Sequence, residues 1–300
     1  MTDPFHPRSP GPKELDAALG RLLTPPSSPP PAPSTVRGLR KTLREERARL
    51  WCAGPIGAPL GAVLTLPRPG RIEMLLGTPL GPADDPAPTG RCLQSALASG
   101  RQSDNHLAQL VHVPEAVGTA EAAKLGGMEW LAELQFLRTA SVPEPTTSLA
   151  WSLPLQSSIT WCDWDDLDNQ ELHGVLLETY VDAQDCPGLR GRREPEDILI
   201  GHEASGVRHH WMVAQVEQEP AGVLLLAETP ERHLLQVLYV GVVPKFRGKG
   251  LGQQFMAKAN EVAISRKLPL SLHVDRRNAP ALKLYRKFDL QPRESRVAWI

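Results

Sequence analysis

Cysteine is scarce and scattered: Cys52, Cys92, Cys162 and Cys186 are the four in 300 residues. None forms a C-x-x-C pair or stands beside metal-spaced histidines, so neither a disulfide framework nor a metal site is indicated. His209 and His210 are adjacent, which sends them to opposite sides of a strand and away from a shared ligand. Long apolar runs are missing as well. No stretch approaches the roughly 20 residues of a spanning helix, and the opening MTDPFHPRSP lacks the basic-then-apolar order of a secretory signal. The expectation is a cytoplasmic protein with no membrane partner. Charge of one sign is not in excess either. With 33 basic and 34 acidic residues, no nucleic-acid partner is expected. Tyrosine is absent between residues 37 and 150.

Proline, by contrast, is abundant at 30 residues, and densest from Pro25 to Pro33 (PPSSPPPAP). Such a run reads as an extended, solvated linker. Ahead of it, Pro12 to Leu23 can form a short helix with Leu15, Ala18 and Leu22 on one side. Residues 1–36 are therefore expected to be a proline-rich, disordered arm. A domain over 37–140, a linker over 141–157 and a second domain over 158–300 follow from length and from the second proline-bearing stretch, Ser141 to Pro154.

Within 37–140 a charged helix (Arg40–Arg49) precedes strands at Leu50–Ala53, Gly61–Leu66 and Arg71–Leu76. A helix at Cys92–Ala98, a strand at Leu107–Val113, a helix at Thr119–Leu125 and a strand at Met128–Leu137 complete it. The second domain reads as a strand at Ser158–Trp161 and a helix at Asp165–Tyr180, capped from the Asp163–Asp166 cluster. A helix at Pro195–Ala204 follows, with proline in its first turn. Trp211–Glu217 and Gly222–Glu228 form a hairpin around Glu219-Pro220-Ala221. A strand at Leu234–Val243, a helix at Gly250–Arg266, a strand at Leu270–Val274, a helix at Ala279–Lys287 and a strand at Ser295–Ile300 end the chain. This order is more specific than a generic α/β alternation.

The informative segment is Val240 to Gly252, VGVVPKFRGKGLG. An apolar strand meets Pro244, turns through Arg247-Gly248-Lys249-Gly250-Leu251-Gly252, and leaves as a helix. Glycines allow the tight turn and present several amides to one point, and the helix dipole adds positive potential for a pyrophosphate. Arg247 and Lys249 add charge. A P-loop needs G-x-x-x-x-G-K-[ST], and a dinucleotide turn needs G-x-G-x-x-G; Gly248, Gly250 and Gly252 give G-x-G-x-G. A strand-to-helix turn that binds nothing is the remaining reading.

R-x-x-G-x-G at Arg247, Gly250 and Gly252, preceded by V-x-P at Val242 and Pro244, resembles the coenzyme A signature of the GNAT superfamily of N-acetyltransferases. Asn278 to Phe288 (NAPALKLYRKF) is similar to that family's N-x-x-A-x-x-L-Y-x-x-x-G-F element, except that Asp289 replaces glycine and Leu290 phenylalanine. The resemblance covers about the last 140 residues. It implies an α/β (α+β) fold with a mixed, mostly antiparallel sheet, in which Leu234–Val243 and Leu270–Val274 splay around acetyl-CoA. The backbone of Val240, Gly241 and Val242 would bond the pantetheine arm. The amides of Gly248, Lys249, Gly250, Leu251, Gly252 and Gln253 would hold the pyrophosphate, and Asn278 would contact the cofactor across the splay.

The implied activity is transfer of an acetyl group from acetyl-CoA to an amine by direct attack in a ternary complex, with no metal. Tyr285 would be the acid that protonates the departing thiolate. Glu228, His233, Tyr239 and His273 stand as bases with none preferred. Tyr180, Asp182, Asp185 and Cys186 are candidate acceptor contacts. The alternative is a non-catalytic acyl-CoA-binding or regulatory protein that keeps the cleft. Residues 107–137 resemble the same fold's last elements, with Ala122 to Gly127 similar to Leu284 to Leu290. A degenerate N-terminal copy in tandem is therefore expected, without R-x-x-G-x-G and without a counterpart of Tyr285. Monomer and homodimer are both compatible with the sequence.

Overall fold

The structure is a computed structural model that describes residues 5–29, 31, 33–102, 106–144, 159–204 and 210–300. It falls into two compact units, one of Met1–Ala132 with Arg296–Ile300 and one of Glu133–Ser295. The expected linker over 141–157 lies, beyond residue 144, outside the described residues, as do His209 and Ser158. Both divisions between units fall inside strands; the first unit is completed by residues 296–300, distant in sequence, whereas the second is one continuous stretch.

In the first unit, α1 (Leu15–Arg21) and α2 (Pro33–Glu45) precede β1 (Arg49–Ala53), β2 (Gly61–Arg68) and β3 (Ile72–Gly77). Then come α3 (Ala87–Gly100), β4 (Leu107–His112), α4 (Val117–Leu125) and the start of β5 (Trp130–Arg138). β1, β2 and β3 pair antiparallel, β3 and β4 parallel, and residues 297–299 close on β4 antiparallel.

β2 is buried from Gly61 through Leu66. A strand buried on both pleat faces must be covered twice. Val63 points into the cluster built by α3 and α4, with Leu93, Ala96, Ala122 and Ala123. Ala62, Leu64 and Leu66 meet Ala18, Leu19, Leu22 and Val36. The expected disordered arm is thus corrected over its helical part. A seven-residue helix is too short to persist alone, but Ala18 and Leu19 are fully buried here. Arg8 also bridges the β1 edge through both backbone bonds to Cys52, at 3.0 and 2.8 Å.

The second unit contains β6 (Ile159–Asp163), α5 (Asn169–Tyr180), α6 (Pro195–Glu203), β7 (His210–Val216), β8 (Glu219–Thr229) and β9 (Leu234–Val242). α7 (Leu251–Arg266), β10 (Leu270–Asp275), α8 (Ala279–Arg286) and the first half of β11 (Gln291–Trp299) follow. β6 to β9 are antiparallel neighbours, β10 lies parallel to β9, and residues 134–138 of β5 pair antiparallel with β10. This is the mixed, mostly antiparallel sheet with one parallel pair.

Local corrections have simple causes. The cap of α5 is Asp168, which forms a capping box with Glu171, because Trp164–Asp166 make a separate 3-10 turn. The β7–β8 hairpin turns at Glu217 and Gln218, both at positive φ, rather than at Pro220. Pro220 sits instead in β8 beside a register shift, where a ladder donor is not needed. Asp289 takes the left-handed conformation at φ 56°, the position where the related family uses glycine. A short polar side chain tolerates that region. Leu290 fills the core place of the missing phenylalanine and is fully buried.

Candidate functional site

β9 and β10 pair only from Leu235–Leu270 to Val237–Leu272. Beyond that point β9 continues to Val242 and β10 to Asp275 without each other. The cause lies on the other edge of β9. Leu225 pairs with Tyr239 but Leu226 with Val237, leaving Leu238 as an extra residue. Such a bulge bends its strand, and here it marks where β9 leaves β10.

The cleft opened by this splay has a volume of about 400 Å³, within the range of small-molecule sites. Val240, Gly241 and Val242 line it from β9; Arg247, Gly248, Gly250, Leu251 and Gly252 line it from the turn; Asn278 lines it from the start of α8. Lys249, Gln253 and Tyr285 are not on its wall. Lys249 Nζ lies 5.5 Å from the centre of the Phe246 ring. The Gln253 amide is already used, donating to the Gly250 carbonyl at 3.0 Å. The amides ahead of it are those a helix start leaves without intrahelical acceptors. Gly248 and Gly250 stand at φ 74° and 89°, a region costly for any side chain.

Arg247 differs from its expected role. Its Nε donates to the Val242 carbonyl at 2.9 Å and its Nη2 to the Thr179 carbonyl at 3.0 Å. The guanidinium therefore fixes the turn against β9 and α5. Asn278 likewise has a local duty, since its side chain accepts the Ala281 amide at 3.3 Å and caps α8.

Tyr285 is buried in α8, at 6% exposure. Burial, then the nearby charge of Asp185, pushes its hydroxyl well above the usual tyrosine range, so it holds its proton throughout the physiological range. Among the four bases left open, only Tyr239 reaches the cleft. Its hydroxyl is 2.8 Å from that of Thr179, and burial raises it to about 12. Glu228 is held by Arg266 and His210, at 2.6 and 3.1 Å. His273 packs on Phe136 with ring centres 4.9 Å apart, and His233 follows a short 3-10 turn at φ 49°.

Of the four acceptor-side candidates, Asp182 and Asp185 line the cleft. Tyr180 stands behind Tyr239, ring centres 4.9 Å apart and nearly parallel. The Cys186 thiol is pushed up to about 12 by burial and by Asp185 and Asp275, which removes it as a nucleophile. Sequence reasoning gave no role to Phe246, Pro280, Ala281 and Leu284, all on the wall. Small and apolar residues give no chemical signal before the fold places them.

The first unit repeats the order of three strands, helix, strand and helix, with a parallel pair at β3 and β4. Gly127 ends α4 at φ 83°, as Asp289 follows α8 at 56°. Where the second unit has a cleft, the first is filled. The Thr119 hydroxyl accepts the Leu80 amide at 2.8 Å and donates to the Thr78 carbonyl at 3.2 Å. Leu80 is buried, and a Cβ on Gly118 would come within 2.4 Å of the Gly81 carbonyl oxygen.

Known proteins agree with this description. The sequence pattern of the acetyltransferase (GNAT) family matches residues 169–290. An uncharacterized N-acetyltransferase of Archaeoglobus fulgidus is 32% identical over 142 residues, which are 44% of this chain and 92% of that protein. A mycothiol acetyltransferase of Acidothermus cellulolyticus is 38% identical over 119 residues, 39% of this chain and 32% of its own length. Among solved structures, a GCN5-related N-acetyltransferase from Sphaerobacter thermophilus covers 98% of this chain and 94% of its own, with TM-score 0.58 and 18% identity. That last likeness is one of fold, and it extends over both units.

Proposed function

The chain belongs to the GNAT acetyltransferase family, and from that premise we propose that its 133–295 unit transfers an acetyl group from acetyl-CoA to an amine. The observation that supports this reading most is the parting of β9 and β10 beside a glycine turn, which leaves that edge of β9 beyond Val237 without a strand partner among the described residues.

In this reading the thioester substrate supplies the acyl group and an amide-bearing arm that can pair with β9 at Val240 to Val242, as a missing strand would. The amides from Gly248 to Gly252 and the dipole of α7 hold the pyrophosphate. Arg247 keeps the turn in place. The amine attacks the thioester carbonyl directly, in a ternary complex, and Tyr285 donates a proton to the departing thiolate. Asn278 holds the start of α8, the helix that carries Tyr285.

One observation favours a second reading. Tyr285 lies behind the cleft wall rather than on it, which suits a protein that binds acyl-CoA without turnover. Calorimetric titration with acetyl-CoA, followed by thiol release against a panel of amines, separates the two. Binding with thiol release supports the transferase, and binding without it supports the second reading. Absence of binding removes both.

A further inference from the structure

The chain has three tyrosines, Tyr180, Tyr239 and Tyr285, and all three gather in the second unit near one carboxylate, that of Asp185. Its charge opposes the ionisation of each of them. Asp185 lies on the cleft wall with Tyr239, against which Tyr180 is stacked. Asp185 Oδ1 accepts the Asp275 amide at 2.8 Å. That amide belongs to the end of β10, beyond its last pairing with β9, so the carboxylate is anchored where the strands have parted.

The local charge does not balance. Arg277 pairs with Asp275, with Nε at 3.0 Å from Oδ1 and Nη2 at 2.5 Å from Oδ2, and its charge also bears on Asp185. The Cys186 amide also donates to Asp275, at 3.2 Å. Among the described residues no cation is ion-paired with Asp185. Asp182, on the same wall, meets Arg190 only at 3.8 Å. Two carboxylates and one guanidinium therefore stand at the end of β10, among phenols that stay neutral. An anionic group would be repelled here and a hydroxyl would leave the charge unanswered, whereas a primary ammonium group completes it.

Resting on the acetyl-transfer reading, we propose that Asp185 binds the acceptor's primary ammonium group and takes its proton before attack. The proton passes from nitrogen to the carboxylate, and the freed lone pair forms the C–N bond at the thioester carbon. The C–S bond then breaks, and its electrons leave on the thiolate, which takes a proton from Tyr285. The second proton lost by the new amide restores Tyr285 through solvent, and one proton is released overall. The setting suits this role, because withdrawal from water raises the Asp185 carboxyl above the usual carboxylate range against the hydrogen bonds from Asp275 and Asn278. The groups facing it are Asp275, Arg277, Cys186 and the three tyrosines.

The test uses the full chain and two probes. NMR titration with n-butylammonium, without acetyl-CoA, is compared with 1-butanol in wild type and Asp185→Asn. The asparagine oxygen can still accept the Asp275 amide, so the loop keeps its anchor. The expected result is a loss of about tenfold or more in ammonium affinity, with no binding of butanol by either protein and unchanged acetyl-CoA affinity. In turnover with primary amines, Asp185→Asn should lose about 100-fold in kcat/KM, together with the acid limb of the pH profile. Asp185→Glu should restore part of both and guards against misfolding of the first variant. Retention of ammonium affinity and turnover by Asp185→Asn overturns the proposal, as does equal binding of butanol. If acetyl-CoA fails to bind the wild type, the transferase reading fails by itself, since the ammonium titration does not depend on it.

Discussion

Arg247 donates through Nη2 to the Thr179 carbonyl at 3.0 Å, tying the turn that opens α7 to the last residues of α5. The same guanidinium holds Val242 on β9. Three elements of the cleft thus meet at one side chain, and its charge is directed at backbone carbonyls. Arg247→Lys keeps the charge but cannot make the same pair of contacts. It should cost about 1–3 kcal/mol of stability in denaturant titration and weaken acetyl-CoA binding. Wild-type affinity in the lysine variant would mean that the charge matters and the anchoring does not.

Gly250 caps α7 at φ 89°. Gly250→Leu should cost about 1–2 kcal/mol in backbone strain and lower acetyl-CoA affinity sharply by turning the amides away. Calorimetry reads this directly, and an unaltered Kd would take the turn out of the binding site.

Tyr285→Phe conserves shape in a buried position, so the thermal midpoint and acetyl-CoA affinity should hardly move. If the phenol protonates the leaving thiolate, kcat falls by about 10²–10⁴-fold. Steady-state rates decide the matter. A mutant as fast as wild type would leave the thiolate to another acid.

The first unit is closed where the second is open. One acetyl-CoA per chain is therefore the expected calorimetric stoichiometry, and two would contradict the filling of that space by Thr78–Gly81. Leu80→Ala removes a fully enclosed side chain and should destabilise the unit by about 2–5 kcal/mol, measured by denaturant unfolding.

His202 gives the second unit an acid-sensitive element. Burial, and then the charge of Arg193, lowers it from its usual 6.5 to about 4. Its ring lies 5.6 Å from that of Tyr239. A histidine with a depressed folded pKa binds fewer protons than the unfolded chain between those two values. The stability it contributes is therefore intact above pH 6.5 and lost as pH falls toward 4, by up to about 3 kcal/mol. His202→Gln should flatten the decline in stability over that window, and an unchanged pH profile would refute the assignment.

The order of strands and helices in both halves could be read from the chain because it rests on local signals: apolar runs, proline at helix starts, glycine where φ must be positive. The glycine turn of residues 247–252 belongs to that class, since its chemistry is backbone geometry written in residue type. The positive φ of Asp289, by contrast, interrupts the pattern and shows itself only as a departure. The helical part of the arm, Leu15–Arg21, departs from its expectation for a related reason. Proline-rich composition describes how a segment behaves alone, whereas Ala18, Leu19 and Leu22 are ordered by the β2 face that they cover together with α2.

The sequence by itself determined where a strand ends in a turn of free amides, and that only one half has such a turn. Tertiary structure decided what the charged side chains do there. Arg247, placed by its spacing beside an anion, holds carbonyls of α5 and β9, and Asp185, one acid in a polar loop, stands where β9 and β10 part. The reason is physical: backbone conformation follows from neighbours in sequence, whereas a charge takes its role from the groups that folding brings within a few ångströms and from the water it removes.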